Sequence, residues 1–143
     1  MSYMNGRSFV DTNILVYAQD QTAGTKHEIA LNVTERLWNS NLGVLSTQVL
    51  QEFCVIVTRK IARPMSFAQL RRILDDYLSW EVVINAPAAT LGALQLQERY
   101  QISFWDALLI HAAKTAEVEI LYSEDLSHGQ RYGSVRVVNP FLQ

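Results

Sequence analysis

Cysteine is nearly absent from this chain: Cys54 is the only one in 143 residues. A lone cysteine excludes an intramolecular disulfide and any zinc cage built from cysteine pairs. It lies in the apolar run Val49 to Val57, which reads as a buried, inert thiol rather than a reactive one. No stretch approaches the roughly 18 uninterrupted apolar residues of a membrane span. The polar start Met1–Arg7 has no apolar core of a secretory signal. These absences give a cytoplasmic protein with no membrane partner as the expectation. There is no internal repeat, no low-complexity tract and no Pro/Gly/Ser-rich linker, so residues 1–143 are expected to form one domain. Neither GxGxxG nor GxxxxGK followed by Ser or Thr occurs, which argues against a nucleotide-binding module. Basic excess is missing too, since 12 Lys and Arg against 14 Asp and Glu leave a net charge of −2. A protein that holds nucleic acid mainly by neutralising phosphates is usually basic. Charge alone therefore speaks against nucleic acid, unless bound metal ions supply the positive charge.

What is present is an alternation of short β-branched runs with amphipathic stretches. Ser8–Asp11 reads as a strand and Thr12–Tyr17 as a turn or short helix. Thr25-Lys26-His27-Glu28 has the form of a capping box, opening a helix to about Asn39 with Ile29, Val33 and Leu37 on one face. Gly43–Ser46 reads as a strand and Thr47–Ile61 as a helix. Ser66-Phe67-Ala68-Gln69 is a second capping box, for a helix to about Trp80. Glu81–Ile84 is the third strand, and Pro87–Tyr100 a helix with proline near its start. Ser103-Phe104-Trp105-Asp106 caps a helix ending near Glu117, and Glu119–Ser123 and Val135–Val138 are the last strands. Strands separated by helices imply βαβ units. The expected fold class is α/β, three layers with a mostly parallel central sheet. Such sheets bind ligands outside the carboxyl ends of their strands, where Asp11 and Asp125 fall.

Four carboxylates stand where charge is out of place. Asp11 is the only charged residue in Ser8–Ala18, Glu52 in Val44–Thr58 and Asp106 in Tyr100–Ala113, while Asp125 follows a strand with Glu124 beside it. Each alone has an ordinary reading. Asp106 suits a helix N-terminus, where a carboxylate meets free N–H groups and the dipole, and Asp125 suits a turn. Together they read differently, because a parallel sheet can bring these positions to one cleft. Converging carboxylates raise each other's pKa, and a carboxylate in apolar surroundings is costly unless paired or metal-bound. A hard divalent cation removes that penalty. Ligation by oxygen alone points to magnesium or manganese rather than zinc. Such an ion lowers the pKa of water and polarises a phosphodiester, which is chemistry for a nuclease or a phosphatase.

The residues also carry a family likeness. Phe9-Val10-Asp11-Thr12-Asn13-Ile14-Leu15-Val16-Tyr17-Ala18 resembles the opening of PIN-domain nucleases, above all the VapC toxins of bacterial toxin–antitoxin pairs. Ile102-Ser103-Phe104-Trp105-Asp106-Ala107-Leu108-Leu109 resembles that family's third-acid segment. Leu121-Tyr122-Ser123-Glu124-Asp125-Leu126 with His128-Gly129 resembles its fourth, and Gln51-Glu52-Phe53 supplies the second acid. Order, spacing and length agree over essentially the whole chain. The resemblance implies a main metal site of Asp11, Glu52 and Asp106, with Asp125 completing it or holding a second ion. It implies polar support from Asn13 and Ser123, and it selects Asp125 over Glu124 because the family's acid stands two residues after a Ser or Thr. It further implies a homodimer, cleavage of RNA to 3′-hydroxyl and 5′-phosphate ends, and an antitoxin whose C-terminal segment blocks the cleft.

Other residues have plainer readings. Arg59, Lys60 and Arg63 end the Glu52 helix, as solvated charges matched to the dipole or as contacts for RNA phosphates at the rim. Arg71 and Arg72 read as a solvated face. His27, His111 and His128 are scattered and read as structural, and Trp105 as core or dimer packing rather than base stacking. An aspartyl-nucleophile phosphatase wants a second acid two residues after the first, where this chain has Asn13. A phospho-acceptor domain wants a suitably placed late lysine, and Lys114 falls inside a helix. A PIN-like module that only binds, receiving an arginine-bearing peptide, would be expected to have lost acids. All four are present here.

Overall fold

The computed structural model describes residues 6–142, so the first five residues of the polar start and residue 143 lie outside it. Strands β1 (Ser8–Val10), β2 (Gly43–Ser46), β3 (Glu81–Val83), β4 (Ile120–Tyr122), β5 (Arg131–Tyr132) and β6 (Val135–Val138) form one sheet in the order β3-β2-β1-β4-β6-β5. Every pairing is parallel except β5 with β6. The helices are α1 (Thr12–Gln19), α2 (Thr25–Ser40), α3 (Thr47–Arg59), α4 (Phe67–Tyr77), α5 (Ala88–Tyr100) and α6 (Phe104–Thr115). This is the α/β class with a mostly parallel central sheet. None of the helices is long and apolar enough to cross a membrane.

Burial explains why β1 sits in the middle. Its three residues are buried, and Phe9 and Val10 are fully inaccessible. A strand covered on both faces reads as a continuous apolar run rather than an alternating one. Phe9, Leu45, Leu121, Ile14, Phe53 and Ile110 are among the largest fully buried side chains, and they join the sheet to α1, α3 and α6. The 3-2-1-4 strand order places the ends of β1, β2 and β4 side by side. Helices α1 and α3 start directly from the first two of them.

Local signals held at some helix starts and failed at others. Ser66 forms the full capping box, its Oγ accepting from the Gln69 N–H and its own N–H donating to Gln69 Oε1, both at 3.2 Å. Ser103 caps α6, accepting from the Asp106 N–H at 3.1 Å. The box read at Thr25 is not formed. A 3-10 turn at Gln21–Ala23, capped by Asp20, leads into Gly24 at φ 64°, and Gly24 is the N-cap of α2. Thr25 is already helical, because only glycine takes that backbone without strain. Helix α4 stops at Tyr77 rather than Trp80, α3 stops at Arg59, and Pro87 is the N-cap of α5. Cys54 is half-buried rather than buried, and burial raises its thiol pKa.

Gly43, at the start of β2, shows how closely sheet and helix meet. A Cβ there would run into the ring of Trp80, which packs edge to face on Tyr77 at 5.2 Å and against Trp38 at 5.4 Å. Overpacking that forces a ring to move costs about 1–3 kcal/mol. Gly43→Ala is expected to lower the urea midpoint by that much stability, and a midpoint equal to wild type would refute the close packing.

Candidate active site

Asp11 is the first residue beyond β1 and the N-cap of α1. Its backbone N–H donates to the Tyr122 carbonyl at 2.9 Å, which fixes it against the end of β4. Both carboxylate oxygens are engaged: Oδ1 accepts from the Thr12 N–H and Oδ2 from the Ser123 hydroxyl, each at 2.7 Å. Only 8% of Asp11 is exposed, and burial pushes its carboxyl up to about 6. The two hydrogen bonds work against that rise, while the charges of Asp125 and Glu52 add to it.

Thr12 and Asn13 extend the same pattern outward. The Thr12 hydroxyl donates to Glu52 Oε1 on α3 at 3.3 Å. Asn13 Nδ2 donates to Asp125 Oδ2 at 3.0 Å, and Asn13 Oδ1 accepts from the Glu124 N–H at 3.4 Å. Three consecutive residues thus tie three separate segments together. Ser123 is fully buried and does the same from just beyond β4. Its Oγ accepts from the N–H groups of Asp125 and Leu126 at 3.2 and 3.4 Å while its proton goes to Asp11.

Glu52 is raised by burial first, then by the charges of Asp106 and Asp125, against hydrogen bonds from Thr12 and Gln48. Gln48 also donates to the Trp105 carbonyl at 3.3 Å, and its Oε1 is buried with no partner. The four acids therefore form one electrostatic group, with Glu52 feeling Asp106 and Asp125, and Asp11 feeling Asp125 and Glu52. They are not equally buried. Asp106 is half-buried, and Glu52 and Asp125 are exposed residues on the rim. The apolar runs around Glu52 and Asp106 belong to other faces of α3 and α6, while Asp125 lies in the turn after β4. Asp106 is not the cap of α6, because Ser103 has that role and the Asp106 carboxylate makes no hydrogen bond among the described residues.

These residues suit a hard divalent cation in donor chemistry and in sign, since all the ligating atoms are oxygens, and burial first and mutual repulsion second raise carboxyls whose charge a cation would stabilise. They do not form a ready cage. No three acidic, histidine or cysteine side chains among the described residues stand as a metal ion's ligands do. Thr12, Asn13 and Ser123 each hold one of the acids through a hydrogen bond, and Asp106 is held by none among the described residues.

The residues with plainer readings fall elsewhere. Arg59, Lys60 and Arg63 gather at the far end of α3 and form no ion pair among the described residues. His27 Nδ1 meets the Tyr17 carbonyl at 2.9 Å, and His128 Nδ1 accepts from the Asn139 N–H at 3.0 Å. Trp105 is 64% exposed, so it is not core. Sequence reasoning passed over Thr12, Gln48, Tyr17 and Lys26. Thr12 was visible between two singled-out residues and Gln48 stands one helical turn before Glu52, but Tyr17 and Lys26 act across long stretches of chain and left no local signal. Glu124 accepts from the Tyr17 hydroxyl and pairs with Lys26, which outweigh burial and hold its carboxyl below the ordinary range.

A model of the PIN domain matches residues 8–131. Among curated proteins no sequence matches significantly. Among solved structures, the chain is similar to VapC20 of Mycobacterium tuberculosis, described as a toxin cleaving the sarcin–ricin loop, at 22% identity and a TM-score of 0.63 over 82% of this chain and 89% of that one. It is also similar to a chain of a toxin–antitoxin complex from Klebsiella pneumoniae, at 18% identity and a TM-score of 0.67 over 94% of this chain and 98% of that one. At such identities these two likenesses speak for the fold.

Proposed function

Since this chain belongs to the PIN-domain family, we propose that it is a metal-dependent endoribonuclease, the toxin of a toxin–antitoxin pair, acting through Asp11, Glu52, Asp106 and Asp125. The observation that carries this reading is a contrast in charge pairing. Glu124 is matched by Lys26, whereas no lysine or arginine among the described residues pairs with any of the four acids. Carboxylates left uncompensated within each other's field are stabilised by a cation.

Asp11, Glu52 and Asp106 would hold the ion, and Asp125 would complete the site. Magnesium or manganese, when bound, supplies a lower pKa for water and positive charge toward a phosphodiester. The protein's own side chains do the placing. Ser123 orients Asp11, Thr12 steers Glu52 and Asn13 steers Asp125. The exposed rim at Glu52 and Asp125 suits a polymer, which lies across a site rather than entering it. Water attacks phosphorus in line and the 3′ oxygen departs, leaving 3′-hydroxyl and 5′-phosphate ends.

A cognate antitoxin and a second copy of this chain are the protein partners in this reading. The likeness to a toxin–antitoxin complex supports the first. The second rests on the family resemblance.

Incubation of the purified protein with total RNA and manganese is expected to yield discrete fragments that disappear with EDTA. Cleavage that persists in EDTA would overturn the metal requirement. A folded protein that neither cuts RNA nor binds manganese would be a binding module instead.

A further inference from the structure

Glu124 stands between Ser123 and Asp125, and neither of its carboxylate oxygens is free. Oε1 accepts from the Tyr17 hydroxyl at 2.7 Å, and Oε2 pairs with the Lys26 ammonium. Tyr17 is on α1 and Lys26 in the first turn of α2, so two helices reach over to hold one turn. The Lys26 ammonium also lies over the rings of Tyr17 and Phe141, 5.2 and 5.5 Å from their centroids. Those rings meet edge to face at 5.3 Å. The Glu124 N–H donates to the same Asn13 whose amide reaches Asp125. A carboxylate with both oxygens committed and its own counter-charge is not available as a ligand. Asp125, by contrast, is exposed, and its carboxylate has Asn13 as its only hydrogen-bond partner among the described residues.

We propose that Tyr17, Lys26 and Glu124 form a clamp that positions Asp125, fixing the 123–126 turn so that its carboxylate faces Asp11 and Glu52. This rests on the ribonuclease reading above. Ser123 holds the turn from inside, through the amides of Asp125 and Leu126, and the clamp holds it from outside. The two charged side chains of the clamp are 46% and 22% exposed. An ion pair that open to solvent contributes little to stability, so variants of it fold, and its effect is on geometry.

The test uses the full chain with Lys26→Gln, Tyr17→Phe and the charge-swapped double variant K26E/E124K. Amide hydrogen exchange at Asp125 and Leu126, manganese affinity by calorimetry, and kcat and KM on an RNA oligonucleotide are measured for each. Loss of a group that orients a ligand typically costs at least about tenfold in metal affinity. Lys26→Gln is expected to speed exchange at both amides and to weaken manganese binding by that factor. It should lower kcat similarly with KM unchanged, as for a group acting only on the reacting geometry. Tyr17→Phe should do the same to a smaller degree, and the double variant, which restores the ion pair but not the contacts with the two rings, should recover part of the loss. Wild-type exchange at both amides in folded Lys26→Gln overturns the clamp. Faster exchange with unaltered manganese affinity and kcat overturns its link to the site. If the wild type binds no manganese and cuts no RNA while the amides still respond, the ribonuclease reading fails and the clamp on the turn stands.

Discussion

Asp11→Asn is expected to reduce manganese-dependent RNA cleavage on the order of 1,000-fold or more, the scale on which a preorganised electrostatic contact is lost. Two effects combine. The substitution removes the most buried of the four charges, and it disturbs the turn beneath it. Asparagine can keep an oxygen toward the Thr12 N–H, but it presents an NH2 group to Ser123. The Ser123 oxygen already accepts from two backbone amides, so a donor would face a donor. Glu52→Gln and Asp106→Asn carry no such conflict and isolate the loss of charge. Both should abolish cleavage while circular dichroism and the unfolding midpoint stay close to wild type. Asp125→Asn should be milder, since Asn13 can still donate to the remaining oxygen. Wild-type cleavage by Asp11→Asn or Asp106→Asn would remove the acid in question from the site, and unfolding of Asp106→Asn would give that residue a structural role.

The second large effect is on stability, in metal-free protein. The Asp11 carboxyl titrates at about 6 in the folded chain against 3.8 in its ordinary state. A carboxyl raised on folding binds its proton more tightly in the native state, so the folded form is favoured while that proton is present. That contribution is complete below about pH 4 and is lost as pH rises through about 6. A gap of about 2 pKa units corresponds to a loss on the order of 3 kcal/mol. Denaturation in EDTA from pH 4 to 8 should show stability falling across this window, opposite to ordinary acid denaturation. Asp11→Asn should flatten the fall, and manganese should restore stability at pH 7 by binding the native state alone. A metal-free protein whose stability does not fall between pH 4 and 7 would rule out a protonated buried Asp11.

The sheet was legible in the sequence where strands were long enough or apolar enough to stand out. The runs at Ser8, Gly43, Glu81 and Val135 all form strands, but the two residues of β5 are too short for any periodicity to mark. Helix starts were legible where a side chain does the capping, as at Ser66 and Ser103. At Gly24 the cap is backbone alone, set by the preceding 3-10 turn, and the Thr25 signal misled. For the candidate site, the isolation of each acid was plain in the sequence, but their burial was not. An acid in an apolar run can still face outward, as Glu52 does, and one that follows a buried strand can turn to solvent, as Asp125 does. The role of Glu124 was out of reach, because its partners lie 107 and 98 residues away.

Asp11 accepts a hydrogen bond from residue 123, while Thr12 and Asn13 donate to residues 52 and 125, and this has a consequence during synthesis. Chains are made from the N-terminus at about 5–20 residues per second, so the triplet leaves the ribosome well before two of its three partners exist. Until β4 has emerged and docked beside β1, Asp11 has no Tyr122 carbonyl or Ser123 hydroxyl to hold it, and the fourth acid has not been made. A nascent chain therefore carries no assembled cluster. Premature termination anywhere before residue 123 yields a fragment without one, and the cell meets the charged rim only after residue 125 has been translated.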